Sequence, residues 1–119
     1  MKTPILGMMA GGVLSVALAM PGTARADVFC TGVPTEINTR SDGTVMFYAN
    51  WRNDWIAICN IDRARNGVSP TVCMTWAAQL VTAASGGKTV GFYYTGASNC
   101  ATILNYDNAP APAYMRFLG

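Results

Sequence analysis

Residues 55–95, WIAICNIDRARNGVSPTVCMTWAAQLVTAASGGKTVGFYYT, decide the fold. The run opens with period-two spacing that sets Trp55, Ala57, Cys59 and Ile61 against Ile56 and Ile58, a strand that is apolar on both faces. Such a strand is covered on both sides, by its own domain or by a partner. A polar loop follows, and Ser69-Pro70 supplies an N-cap and a first helical residue. Cys73, Trp76, Ala77, Leu80, Val81 and Ala84 then recur at three- and four-residue spacing until Gly86-Gly87 stops the helix. The opposite face holds Thr71, Met74, Thr75, Ala78, Gln79, Thr82 and Ser85 and has no charge. Exposed helices usually carry charged residues there, so this face is expected to pack against something or to line a shared pore. After the helix, Val90, Phe92 and Tyr94 alternate with Thr89, Gly91 and Tyr93 in another strand.

Outward from this centre the pattern stays β. Residues 44–50 alternate, with Val45, Phe47 and Ala49 on one face, and the turn signal Ser41-Asp42-Gly43 joins them to residues 36–40. Trp51 to Asp54 reads as a second turn, Ala109-Pro110-Ala111-Pro112 as an extended segment and residues 114–118 as a short last strand. The fold class is therefore mainly β with one helix, in the order β-β-β-α-β-β. That is the order of a small five-stranded OB-fold-like barrel. A small open α+β sandwich is the structural alternative.

Residues 1–26 read as a secretory signal peptide, with Lys2 before an apolar run, then Pro21-Gly22 and the small-residue pattern Ala24-Arg25-Ala26. Residues 27–119 then form a single OB-fold-like domain. The whole chain has a formal charge of +2 and only 12% charged residues. Lys2 and Arg25 belong to the leader, and without them acidic and basic side chains balance. A basic stripe for nucleic acid is absent, and no membrane span is expected after cleavage. Secretion or export to a periplasm also suits the cysteines. Cys30, Cys59, Cys73 and Cys100 form an even set in a short exported chain and predict two disulfides. Three pairings are possible. Cys59 with Cys73 and Cys30 with Cys100 is favoured, because the first bond ties a strand end to the start of the following helix.

The chain has no histidine, which removes Ser-His-Asp and Cys-His catalysis and histidine-based zinc sites. No Cys-x-x-Cys pair points to a metal, and neither metal nor cofactor is expected. Ser85-Gly86-Gly87-Lys88 matches a serine acyl-transfer string, but its serine lies at a helix end. Gly87-Lys88-Thr89 matches the tail of a phosphate loop, but it follows a helix instead of preceding one. Asp42, Asp54, Asp62 and Asp107 occupy turn and loop positions and read as solvated side chains. The chain is read as non-enzymatic. Binding is better supported: Tyr48, Trp51, Tyr93 and Tyr106 take turn or outward positions, and aromatic faces beside Asn, Thr and Ser suit sugar rings. Arg63 and Arg65, beside the predicted Cys59 to Cys73 clamp, form a second candidate that would hold a carboxylate or sulfate. The ligand-binding candidates are thus Tyr48, Trp51, Arg63, Arg65 and Tyr93.

Ile58-Cys59, Val72-Cys73, Trp76, Leu80, Ala84, Gly87-Lys88-Thr89-Val90 and Phe92-Tyr93-Tyr94 resemble the central part of the glycan-binding B subunits of subtilase cytotoxin and typhoid toxin. The segment is more distantly similar to pertussis toxin subunits. The resemblance covers residues 55–94. It implies an OB-fold subunit in a homo-oligomeric ring of five, with helices lining the centre, sugar sites on outer faces and a catalytic A subunit as partner. Two features depart from that pattern. Residues 29–40 contain no match to the serine-bearing strand that holds sialic acid in those toxins, and Cys100 must reach back to Cys30.

Overall fold

A computed structural model describes residues 26–119; the predicted leader, apart from Ala26, lies outside the described residues. The elements are β1 (Asp27–Gly32), β2 (Ile37–Thr39), β3 (Thr44–Ala49), β4 (Asp54–Asn60), α1 (Pro70–Gly86), β5 (Val90–Thr95), a 3-10 turn (Cys100–Thr102) and β6 (Tyr114–Phe117). The strands form two antiparallel three-stranded sheets, ordered β1-β5-β6 and β2-β3-β4.

Local chemistry fixes the second sheet. At the Asp-Gly turn, Gly43 takes φ 93° and donates to the Arg40 carbonyl at 2.9 Å. The Asp42 carboxylate accepts from the Thr44 amide at 2.9 Å and pairs with the Arg40 guanidinium at 3.0 Å. That closes β2 on β3. Asn53, at φ 58°, turns β3 into β4, a left-handed position that asparagine tolerates. Between Val45 and Met46 the register shifts by a bulge on β4, so Val45 faces Cys59 while Met46 faces Ala57. Strict alternation would have put Cys59 with Ala57; the bulge instead brings Ile56, Ile58 and Cys59 all into the main core. Met46 and Ala57 are buried outside that core, so β4 is covered on both faces within its own domain and needs no partner.

The expected five-stranded barrel is corrected on two counts. A sixth strand, β1, precedes the predicted ones and pairs with β5 from Asp27↔Thr95 to Gly32↔Val90. The N-terminal segment is thereby split: buried Pro34, which has no N–H for a ladder, separates β1 in one sheet from β2 in the other. Among the described residues no closed barrel forms either. The ladder between β4 and the C-terminal segment is limited, among the described residues, to an isolated parallel bridge to Tyr106, where Tyr106 N–H donates to the Trp55 carbonyl at 2.8 Å and Ala57 N–H donates to the Tyr106 carbonyl at 3.2 Å. Pro110 and Pro112 then follow, lacking the N–H groups that further pairing with β4 would use.

α1 starts as predicted, with Ser69 Oγ accepting from the Val72 amide at 3.2 Å and Pro70 in the first turn; Gly87 at φ 64° ends it. Its buried stripe is Cys73, Trp76, Leu80 and Ala83. Ala77 and Ala84 are half-buried, and Val81, expected inside, is 52% exposed. The stripe thus sits slightly rotated from the predicted one. The Cys59 to Cys73 disulfide fastens its first turn to the end of β4, and the Cys30 to Cys100 disulfide fastens β1 to the 3-10 turn. Phe47 stacks on Phe92 at 5.1 Å, joining the two sheets across the core.

Candidate functional site

β1 and β5 are each buried on one side, β6 turns only half-buried Met115 toward the core, and period-two alternation sends the other set of side chains outward. Cys30, Val90, Phe92 and Tyr94 enter the core. Phe29, Tyr93 and Tyr114 therefore share an outward row, because Phe29 pairs with Tyr93 and Tyr93 with Tyr114. The neighbouring row is Thr31, Gly91 and Arg116. Gly91 is small for a reason: a Cβ there would fall 2.7 and 2.8 Å from Cε2 and Cε1 of Phe29 and closer still to Cζ. The missing side chain lets the Phe29 ring lie down against the strand.

The resulting surface is an aromatic cluster with a cation. The Tyr93 and Tyr114 rings stack at 5.0 Å with planes 8° apart, and Phe29 lies 6.3 Å from Tyr114. The Arg116 guanidinium sits 5.1 Å above the Phe29 ring and 5.7 Å from the Tyr114 ring, a cation–π arrangement. Among the described residues no carboxylate lies within ion-pair distance of Arg116; both ion pairs belong to Arg40. The Asp27 carboxylate accepts from Tyr93 Oη at 2.7 Å and from the Gly96 amide at 3.3 Å. Tyr114 is 40% exposed. This face offers apolar ring surface and one guanidinium fork.

Of the candidates read from sequence, only Tyr93 lies here. Tyr48 is on the other sheet, its hydroxyl donating to Asn53 Oδ1 at 2.6 Å and its ring edge-on to Trp55. Trp51 packs edge-on against Phe47 and Tyr94, so it completes the core instead of presenting a platform. Arg65 is turned inward: its Nη2 donates to the carbonyls of Asp107 and Ala109 at 2.9 Å each, and burial lowers its pKa from the usual arginine value. Arg63 is exposed, so the two arginines do not form one anion fork. Phe29, Tyr114 and Arg116 were missed. Their signal was the alternation of residues 27–32 and the Tyr114-x-Arg116 spacing in the predicted last strand.

Two further surfaces stand out. The uncharged face of α1 and Phe117 of β6 line a groove of about 590 Å³, in which Met74 is 61% exposed. Near the Cys30 to Cys100 bond, loop residues including Asn99, Thr102 and Asn108 line a hollow of about 350 Å³. Inside the protein, the Tyr94 hydroxyl and Arg65 Nη1 are buried without hydrogen-bond partners among the described residues, and burial raises the Tyr94 pKa. Among the described residues, no helix is long and apolar enough to cross a membrane.

Comparisons of the chain with protein-family models, with curated proteins and with solved structures find no match.

Proposed function

We propose that this chain is an exported, non-enzymatic binding protein that recognises a glycan or another cell-surface ligand through the outward face of the β1-β5-β6 sheet. The observation that carries this reading is the cluster of Phe29, Tyr93 and Tyr114 under the Arg116 guanidinium, which has no carboxylate partner among the described residues. Solvent-facing sheet positions usually hold polar residues. Three rings and an arginine there supply C–H stacking for a sugar ring and hydrogen-bond donors for its oxygens. Two disulfides support a secreted or periplasmic location, where thiols are oxidised.

The strand pairings support an opened OB-like architecture. They run β4-β3-β2, pass through residues 33–36 to β1, and continue β1-β5-β6, with the helix between β4 and β5. That is a five-strand order whose first strand is broken at Pro34, in a fold known to be partly open. Together with residues 55–94 it supports a toxin B-subunit-like role, in which the uncharged α1 groove would be covered in a homo-oligomer, up to a ring of five, and a catalytic A subunit would be the partner. A glycan array probed with the exported protein, beside its native mass, tests the reading. Failure of a folded sample to retain any glycan would remove the sugar claim.

The α1 groove favours a second reading, a stand-alone protein-binding domain such as an inhibitor or envelope component. A monomeric mass, no glycan binding and capture of one partner whose binding Met74→Lys abolishes would establish that alternative.

A further inference from the structure

We infer that the open edge of β6 docks an extended peptide segment of a partner protein, added antiparallel, with apolar side chains toward α1 and an acidic one opposite Arg116. The inference rests on the protein-binding reading, to which it gives a partner of defined shape, and is independent of the glycan claim. β6 lies at the end of its sheet, and among the described residues only β5 pairs with it. The two strands keep one register from Val90↔Phe117 to Tyr93↔Tyr114, and beyond it Leu118 N–H donates to the Thr89 carbonyl at 2.8 Å. In an antiparallel ladder every second residue turns its N–H and C=O toward the neighbouring strand. Counting back from Leu118, Arg116 and Tyr114 turn theirs to β5, while Met115 and Phe117 turn theirs away from the sheet. Among the described residues no backbone hydrogen bond uses those outward groups.

A free edge of this kind is a template for another strand. Here the side chains that such a strand would carry are specified on both faces. Met115 packs against the core, and Phe117, two residues on, lines the groove under the uncharged face of α1. The free backbone groups therefore belong to residues whose side chains lie on the α1 side. Residues of an added strand that bond to Met115 and Phe117 would share that side, because hydrogen-bonded pairs point their side chains to the same face. The groove there holds about 590 Å³ and is lined by Phe117 and by α1 residues without charge, so it suits apolar side chains.

The other face sets the charge. The residue of the added strand between those two would stand opposite Arg116 in a non-hydrogen-bonded pair, the closer of the two antiparallel pairings. Arg116 has no carboxylate partner among the described residues, and its row across the sheet continues only to Gly91 and Thr31. An acid on the incoming strand would complete a cross-strand ion pair. The guanidinium rests over the Phe29 ring, so glutamate, one methylene longer than aspartate, is the acid with the reach. A second copy of this chain matches the edge less well, since two β6 strands paired about Arg116 would set guanidinium against guanidinium.

The test is an NMR titration of the exported protein with a terminally blocked peptide, Thr-Val-Glu-Val-Thr. Saturable downfield shifts of the Met115 and Phe117 amide protons are expected, with a short contact between the α-protons of Arg116 and the peptide glutamate. N-methylation of either valine, whose amide would face β6, should weaken binding about tenfold or more, while N-methylation of the glutamate, whose amide would face away, should change it less than about threefold. Lysine in place of that glutamate should bind about fivefold more weakly, and Arg116→Glu should reverse the preference. If Arg116→Glu fails to fold, the N-methylated series decides on the wild-type protein. No shift at Met115 and Phe117, equal affinity after valine N-methylation, or a β6–β6 dimer that already holds those amides would overturn the proposal. Binding that Met74→Lys abolishes but valine N-methylation leaves intact would also overturn it, while keeping the groove reading above.

Discussion

Gly91→Ala probes the construction of the aromatic face through a single methyl group. The added Cβ would fall under 3 Å from ring atoms of Phe29, at 2.7 and 2.8 Å from Cε2 and Cε1. Because the Phe29 ring is sandwiched between β5 and the Arg116 guanidinium, it has to swing off the strand and give up its cation–π contact. Crowding of this kind costs about 1–3 kcal/mol, and loss of an exposed cation–π contact about 0.5–1 kcal/mol as part of it. Replacing glycine by alanine within a strand returns about 0.5–1 kcal/mol of backbone entropy. The net effect is a destabilisation of about 1–2 kcal/mol, a fall in Tm of roughly 5–10 °C for a domain of this size. Urea unfolding of wild type, Gly91→Ala, Phe29→Ala and the double variant forms a thermodynamic cycle. With Phe29 already removed, Gly91→Ala should be stabilising by about 0.5–1 kcal/mol, so the sign of its effect reverses. If Gly91→Ala stabilises the protein with Phe29 present, or destabilises it equally in both backgrounds, the ring does not lie where this account puts it.

Tyr94→Phe should leave neutral-pH stability unchanged or raise it, because the Tyr94 hydroxyl is buried with no partner among the described residues. Burial raises the Tyr94 pKa in the folded state, so its contribution is intact below the unfolded value of about 10 and is lost as pH rises above it; unfolding followed into the alkaline range should show a fall in stability that Tyr94→Phe reduces. At the acid end, the Thr44 amide and then the Arg40 guanidinium hold Asp42 below the ordinary carboxylate range, and Asn105 does the same for Asp54. Their contribution is therefore full above the unfolded pKa of about 3.9 and lost as pH falls below it, and Asp42→Asn should flatten that acid limb in a denaturation series. Replacing Cys59 and Cys73 by alanine should cost about 3 kcal/mol, and replacing Cys30 and Cys100 about 4.4 kcal/mol, from loop-closure entropy; the loops span sequence separations of 14 and 70, and urea midpoints of the two double variants should rank in that order.

The helix and the central strands were legible because each had a local mark. Ser69-Pro70 and Gly87 bound the helix, the Asp42-Gly43 pair makes the hairpin, and alternation marks β3 and β5. Both disulfides follow the favoured pairing. What local patterns could not carry was long-range. Residues 27–32 alternate, but no turn nearby marks them off, and pairing with β5 is what makes them a strand. The bulge on β4 depends on its pairing with β3, so strict alternation gave the wrong side for Cys59. Aromatic residues show the same limit. Tyr93 was recognisable as outward-facing, but its neighbours Phe29 and Tyr114 come from chain segments on either side of it, brought together by sheet register. Trp51 and Arg65 looked like surface groups from their turn and loop positions; contacts with Phe47 and Tyr94, and with the carbonyls of Asp107 and Ala109, turn them inward.

The central claim is that the β1-β5-β6 face binds a glycan, and it is tested most directly by a glycan array run in parallel on the exported wild-type protein and its Tyr114→Ala variant. Tyr114 is 40% exposed, so its removal should lower the urea midpoint only modestly, by about 1–2 kcal/mol of stability, and leave the protein folded while taking away the ring that stacks on Tyr93 and meets Arg116. The account predicts retention of a restricted set of glycans by the wild type and loss of that retention in the folded variant. Retention that survives Tyr114→Ala, or a folded wild-type protein that retains nothing, would contradict it.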